Sequence, residues 1–503
     1  MENKMSKKRI ILNLILPITY SVLIMVLGII IPRLVMTNYG SDTNGLISTI
    51  GQIFTYMALL EAGVSRASRN QLFKPLVERD SEGVSKIICS SKKYYQRIAI
   101  VYFVVVILLS SLLPFIFKTK VAYWEIFFYI LFEGLIGVVN FLISKKWTIL
   151  LNADGKAYVV ETISFISKIL GYAAKIVLIL LHFNIAIIQS AYFVICILIN
   201  AIYIVIAKQK YSWINTSLKG DTKLLKDKNS YFINEIAWTI FSSTDMIVLS
   251  IFLSTSLSSV YSIYALVFVS INTLVSSIYN SLEFILGKTF QKSDISRYTR
   301  IHDLFQTSFI SLMTILMSVS YVLTLPFVKL YSNGVHDVNY IHALLPLFFC
   351  LIQILSWSRY VSGNLCGLGG YAKQISIISI VEAGLNIVLS CIFVLFWSIE
   401  GVLLATVCAL PIKIVFSVYY ADVKILKRKP FKTIGIILTN IVIFAVAIAF
   451  YVVFNKYIQI TNIFSFIKYG FVLTLLFAAI GFSINAFLNK DLKELRALIK
   501  NER

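Results

Sequence analysis

Ionisable side chains inside long apolar stretches are the residues of this chain that can do chemistry, because a charge at such depth is costly to keep and needs a use or a partner. Glu161, Lys168 and Lys175 are spaced by seven, so on a helix they lie near one face and set two cations deep in one stretch. Asp245 is flanked by Ser242, Ser243 and Thr244, an arrangement suited to a small cation or to hydroxyl groups. Glu61, Arg66 and Arg69 gather at the end of another stretch, with Arg66 and Arg69 on a shared face that suits an anion. Glu283 stands 214 residues after Arg69, and Arg33 closes the first stretch. Each has a structural alternative. Lys168 can pair with a carboxylate such as Glu382, Lys175 can snorkel outward, Asp245 can be held by neighbouring hydroxyls and a basic partner, and Arg69 can be an interfacial anchor. Glu125, Glu133 and Glu400 are read as solvated near the ends of their stretches.

Other chemistries lack their residues. The four histidines, His182, His302, His336 and His342, show no paired spacing of the kind a metal site uses. The six cysteines are not closely paired and read as small packing residues. No nucleophile, paired-acid or nucleotide-binding constellation is present.

The elements that position these charges follow from composition. The chain of 503 residues is 58% apolar and only 14% charged, more apolar surface than a globule can hide from water. A bilayer core of roughly 30 Å needs about 20 apolar residues per helix. Stretches of that kind recur near 10–31, 45–65, 98–117, 122–143, 157–181, 185–207, 231–253, 260–287, 305–328, 341–357, 372–396, 402–420, 434–454 and 463–487. The second, eighth and eleventh are rich in Ser, Thr, Asn and Gly, which suits helices that face partners or water. The expectation is an all-α integral membrane protein of about 14 transmembrane helices.

A net charge of +22 invites a nucleic-acid reading, but the basic residues follow the positive-inside rule instead. With the amino terminus inside, 38 of the 46 are assigned to the cytoplasmic side and six to the outside, and Lys168 and Lys175 lie deep within a span. No nucleic-acid partner is expected, and both termini are placed in the cytoplasm. The first apolar stretch has no small-residue cleavage site, so it reads as a retained helix.

An offset of 214 residues lays the first six stretches over the next six. Ser144 then meets Ser358, Lys145 meets Arg359, Gly155 meets Gly369 and Ile185 meets Ile399, and the short outer turns Phe183, Asn184 and Trp397, Ser398 recur in phase. Two six-helix halves, 1–215 and 216–430, follow, with 431–503 holding two extra helices and a cytoplasmic tail. An even number of spans per half gives both the same orientation, a layout that lets two lobes rock about one site.

The segments FSSTDMIVLSIFL at 241–253, VYSIY at 260–264, LEAGVSR at 60–66 and LLNADGK at 150–156 resemble Wzx-type polysaccharide flippases, members of the superfamily that also holds multidrug extruders and lipid-linked oligosaccharide flippases. The resemblance spans the chain and implies a V-shaped bundle like that of the multidrug extruders. It implies a transporter, not an enzyme, that carries undecaprenyl-pyrophosphate-linked oligosaccharide units across the bacterial cytoplasmic membrane by alternating access, for capsule, O-antigen or similar surface polysaccharide. Lys168 and Lys175 would then suit the pyrophosphate or an acidic sugar, Arg66 and Arg69 would receive it from the cytoplasm, and the helices after Lys432 would guide the lipid tail. Polysaccharide polymerase and assembly proteins are the implied partners. No cofactor is implied, and a coupling ion, Na+ or H+, stays open. A cation-coupled multidrug antiporter of the same superfamily is the alternative, and a membrane-embedded polymerase or glycosyltransferase a third reading.

Overall fold

Apolar runs without a polar face can satisfy their backbone in a bilayer only as helices or closed barrels. The computed structural model describes residues 7–215, 217–218, 239, 243–291 and 295–488, and these form helices joined by short turns, with no strand among them. The order is α1 (Lys7–Glu78), α2 (Ser81–Ile116), α3 (Tyr123–Val139), a π-turn (Asn140–Ser144), α4 (Lys145–Ala153), α5 (Ala157–Leu180) and α6 (Ile185–Lys210). Then come α7 (Ser243–Phe252), α8 (Thr255–Gln291), α9 (Ile295–Tyr331), α10 (Leu345–Ser358), α11 (Tyr360–Leu368), α12 (Ala372–Val418), a second π-turn (Tyr419–Ile425), α13 (Phe431–Phe454) and α14 (Ile463–Leu488).

Among the described residues ten helical stretches are long and apolar enough to cross a membrane, and one of them, from Ala372 to Ile425, holds two of the expected spans. That helix breaks at Trp397 and at Ser398, whose φ of 51° sets a turn where the sequence puts one. The first two expected spans are likewise joined within α1, which turns at Gly40 with φ of 87°, a backbone that glycine adopts without strain. The expected seventh span, 231–253, is described only from Ser243 onward as the short helix α7. Local capping sets other boundaries. Asp80 Oδ1 accepts from Gly83 N at 2.8 Å to start α2, and Asn184 Oδ1 accepts from Ile187 N at 2.9 Å to start α6.

The described chain forms two compact units, 1–259 and 260–503. In the first, Ile88, Tyr95, Tyr102 and Val106 of α2 pack with Phe141, Ile149 and Leu150 across the first π-turn. The second half of α1 lies against α7 and the start of α8 through polar groups: Asn44 Nδ2 donates to Ser259 Oγ at 2.8 Å, and Thr49 and Ser250 hydroxyls meet at 2.5 Å. Small and hydroxyl residues at such a contact let helix backbones approach closely. Gly45 marks the closest approach, since a Cβ there would stand 1.6 Å from Thr255 O.

In the second unit α9 is the pillar, buried along most of its length, with α10, α13 and α14 packed around it. Ile315, Val319 and Leu323 of α9 meet Ala447 of α13 and Leu473 and Phe477 of α14, so the last two helices are an integral part of this unit. Large apolar side chains such as Phe115, Leu198, Phe464 and Phe487 are exposed on the helices, as a bilayer-facing surface requires.

Candidate functional site

In the first unit α5 lies against α1, where Tyr20 stacks on Phe165 with ring centroids 4.1 Å apart. Glu161 and Lys168 stand on either side of Phe165 along α5 and are both exposed. Lys175 differs from Lys168. It is half-buried with Nζ 4.3 Å from the centre of the Tyr192 ring, a cation–π contact that Gly171 permits by leaving room for that ring. Glu133 is near enough to act on Lys175 electrostatically and accepts a hydrogen bond from Gln189 Nε2. Glu133 is therefore built into the helix packing and is not solvated as its place near a span end suggests.

Glu61 is half-buried on α1 and takes Lys145 Nζ at 2.5 Å. Arg69 is exposed, and Arg33 is half-buried and held by neighbouring groups. Arg66 and Glu283 lie on described helices, but their side chains fall outside the described residues. Asp245 is buried on α7 beside Tyr56 of α1, whose hydroxyl meets Thr244 Oγ1 at 2.5 Å. The structure thus brings Asp245 to α1 within the first unit, among the hydroxyls that flank it in sequence.

The second unit carries ion pairs that the sequence reading passed over. Arg359 and Glu382, both buried, form a salt bridge between the α10–α11 junction and α12. Glu382 is therefore already engaged, so the suggested pairing of Lys168 with it gives way to a pair inside its own unit. The offset of 214 residues gives the physical reason for a difference between the units. Positions 145 and 168 correspond to 359 and 382, where the second unit holds Arg and Glu but the first holds Lys and Lys. Two lysines repel; Lys145 turns instead to Glu61, and Lys168 is left exposed.

At one end of the same unit Arg428 makes a two-pronged contact with Asp303, at 2.7 and 2.6 Å, and a third bond from Nε to Asp422 Oδ1 at 2.8 Å. Lys432 Nζ adds a contact of 2.8 Å to Asp303. At the opposite end Glu400 accepts from the His342 ring at 2.8 Å, not free in solvent as expected. The hydrogen bond to Glu400 raises the His342 pKa above its ordinary value, against an opposing push from burial. In the first unit Asp42 gathers the hydroxyl of Thr119, the backbone N–H of Lys120 and the hydroxyl of Thr255, tying three segments at one point. The signal for all of these was a lone carboxylate or cation close to a helix end, which sequence alone does not connect to a partner elsewhere.

No family model and no curated protein matches the chain. Solved structures do. The lipid II flippase MurJ in an inward closed conformation superposes with a TM-score of 0.63 at 16% identity, covering 93% of this chain and 99% of that one. The chain has the helical fold of that flippase. An inward-facing MATE-family multidrug transporter of the MOP superfamily gives 0.62 at 13% identity over 83% of this chain and 98% of its own. The MATE multidrug transporter DinF-BH gives 0.60 at 15% identity over 85% and 98%. One architecture therefore covers nearly the whole chain and serves proteins described as flippase and as drug transporter alike.

Proposed function

We propose that the protein is a flippase that carries undecaprenyl-pyrophosphate-linked oligosaccharide units across the bacterial cytoplasmic membrane by alternating access, with both termini in the cytoplasm. The observation that carries this reading is Lys168, an exposed cation at membrane depth whose counterpart position in the second unit holds the carboxylate Glu382. A sugar-pyrophosphate headgroup cannot enter hydrocarbon unaided, since each polar or ionised group there costs several kcal/mol. Lys168 supplies a fixed positive charge for the pyrophosphate. The two helical halves are the moving lobes in this reading, and the helices of 431–503 accompany the lipid tail. An organic cation, the cargo of a multidrug antiporter, would be repelled by Lys168, which favours the anionic lipid over the alternative.

The test is Lys168→Ala in the producing cell. Membrane levels of the protein should be normal, surface polysaccharide should be lost, and lipid-linked repeat units should accumulate on the inner leaflet, with Lys168→Arg restoring export in part. Normal surface polysaccharide in the alanine variant would remove Lys168 from the site and this reading's main support with it.

A further inference from the structure

Between α12 and α13 the chain carries Lys424, Lys427, Arg428, Lys429 and Lys432, five cations in nine residues. The structure sorts them into two sets. Arg428 and Lys432 are engaged by the buried carboxylates Asp303 and Asp422. Lys424, Lys427 and Lys429 are exposed, and no carboxylate among the described residues pairs with any of them.

The turn that holds this second set is fixed from within. Leu426 N donates to Ala421 O and Arg428 N to Asp422 O, each at 2.9 Å. The Arg428 guanidinium bonds Asp422, before the turn, at 2.8 Å and Thr433 Oγ1, on α13, at 3.2 Å, so the two ends of the turn are brought together. Lys427 stands at φ of 54°, in the left-handed region that a residue with a side chain rarely adopts. A loop that only joined two helices would be served at less cost by Gly there, and a backbone outlier held in place by its surroundings points toward function. Three lysines fixed on such a turn form a preorganised positive array, which lowers the cost of binding an anion.

The neighbouring surface selects the anion. α13 starts at Phe431 and is long and apolar enough to cross a membrane, which sets the turn before it at the level of lipid headgroups. An apolar stripe leads away from the lysines along α13: Phe431, Ile434, Leu438 and Val442 follow one another by three, four and four residues, so they share a face, and all four are exposed. Lys424 Nζ stands 5.6 Å from the centre of the exposed Tyr419 ring, and tyrosine favours the membrane surface. A soluble anion would use the lysines and not the stripe, and a neutral lipid the stripe and not the lysines. Basic residues just outside a membrane helix attract anionic lipid headgroups, and a lipid of that charge uses both features. We propose that this turn and the start of α13 bind an anionic phospholipid of the bilayer, its phosphate held by Lys424, Lys427 and Lys429 and one acyl chain laid along Phe431, Ile434, Leu438 and Val442. The site requires only that α13 spans the bilayer, and it stands whether or not Lys168 meets the cargo.

The experiment uses the purified full-length protein in detergent with phosphatidylglycerol, phosphatidylcholine or inorganic phosphate added, and reads the melting temperature and, by native mass spectrometry, the lipids retained per chain. The wild type should melt several degrees higher with phosphatidylglycerol and not with the other two. The triple variant Lys424→Gln, Lys427→Gln, Lys429→Gln should lose that rise and retain one phosphatidylglycerol fewer per chain, while melting like wild type in phosphatidylcholine, because none of the three lysines bonds a carboxylate. Lys427→Gly, which suits the left-handed backbone, should melt no lower than wild type in phosphatidylcholine yet give a smaller rise with phosphatidylglycerol; if the triple variant does not fold, this one decides. A wild type indifferent to phosphatidylglycerol, or one that responds equally to phosphatidylcholine or inorganic phosphate, overturns the proposal, as does a lysine variant that keeps the full rise.

Discussion

His342 and Glu400 show how one pair sets a measurable response. A group whose folded pKa is raised contributes stability that is fully present below its unfolded value of about 6.5 and is lost as pH rises through the folded value. The pair therefore helps at mildly acidic pH, down to the point where Glu400 protonates, and fades in alkali. Because the ring and carboxylate are partly exposed, at 20% and 26%, the contribution should be about 1 kcal/mol. Thermal melts of wild type and His342→Gln at a series of pH values should differ most near pH 6 and converge above pH 9. A gap that widens with pH would reverse the assigned sign. Lys168 belongs at the same scale: its importance comes from the residue it lacks, since the position that carries Glu382 in one unit carries a second lysine in the other.

At the scale of the helix, close approach decides what is tolerated. Gly45 lets α1 come against the Thr255 carbonyl, and a methyl group there would collide with backbone that has nowhere to go. Gly28, on the same helix, has nothing within 4 Å of where its Cβ would be. Gly45→Ala should lower stability by about 3 kcal/mol or prevent folding, whereas Gly28→Ala should be neutral or gain up to about 1 kcal/mol from helix propensity. Comparable melting of the two variants would contradict the packing described for α1. The sequence made most of the elements legible, because apolar length and basic loops are local properties: the turn at Trp397 and Ser398 and the polar contacts of the second span appear where composition puts them. The ion pairs were not legible. Arg359 and Glu382, or Arg428 with Asp303, are joined only by how helices pack, and no spacing in the chain announces that. For the same reason Glu133 and Glu400, read as solvated, turn out to be bonded.

For the whole molecule, the fold is an architecture found in a lipid flippase and in multidrug transporters, and in the proposed reading charge within it decides the cargo. The chain carries 46 basic residues, and in the proposed reading Lys168 is the one at depth that meets the cargo. The direct measurement is translocation in proteoliposomes that contain the purified protein and a fluorescent undecaprenyl-pyrophosphate oligosaccharide, read by loss of protection from an added quencher, beside parallel vesicles loaded with a cationic dye. Transfer of the glycolipid between leaflets, abolished by Lys168→Ala, with no export of the dye, is the expected result; export of the dye with the glycolipid left in place would contradict the assignment.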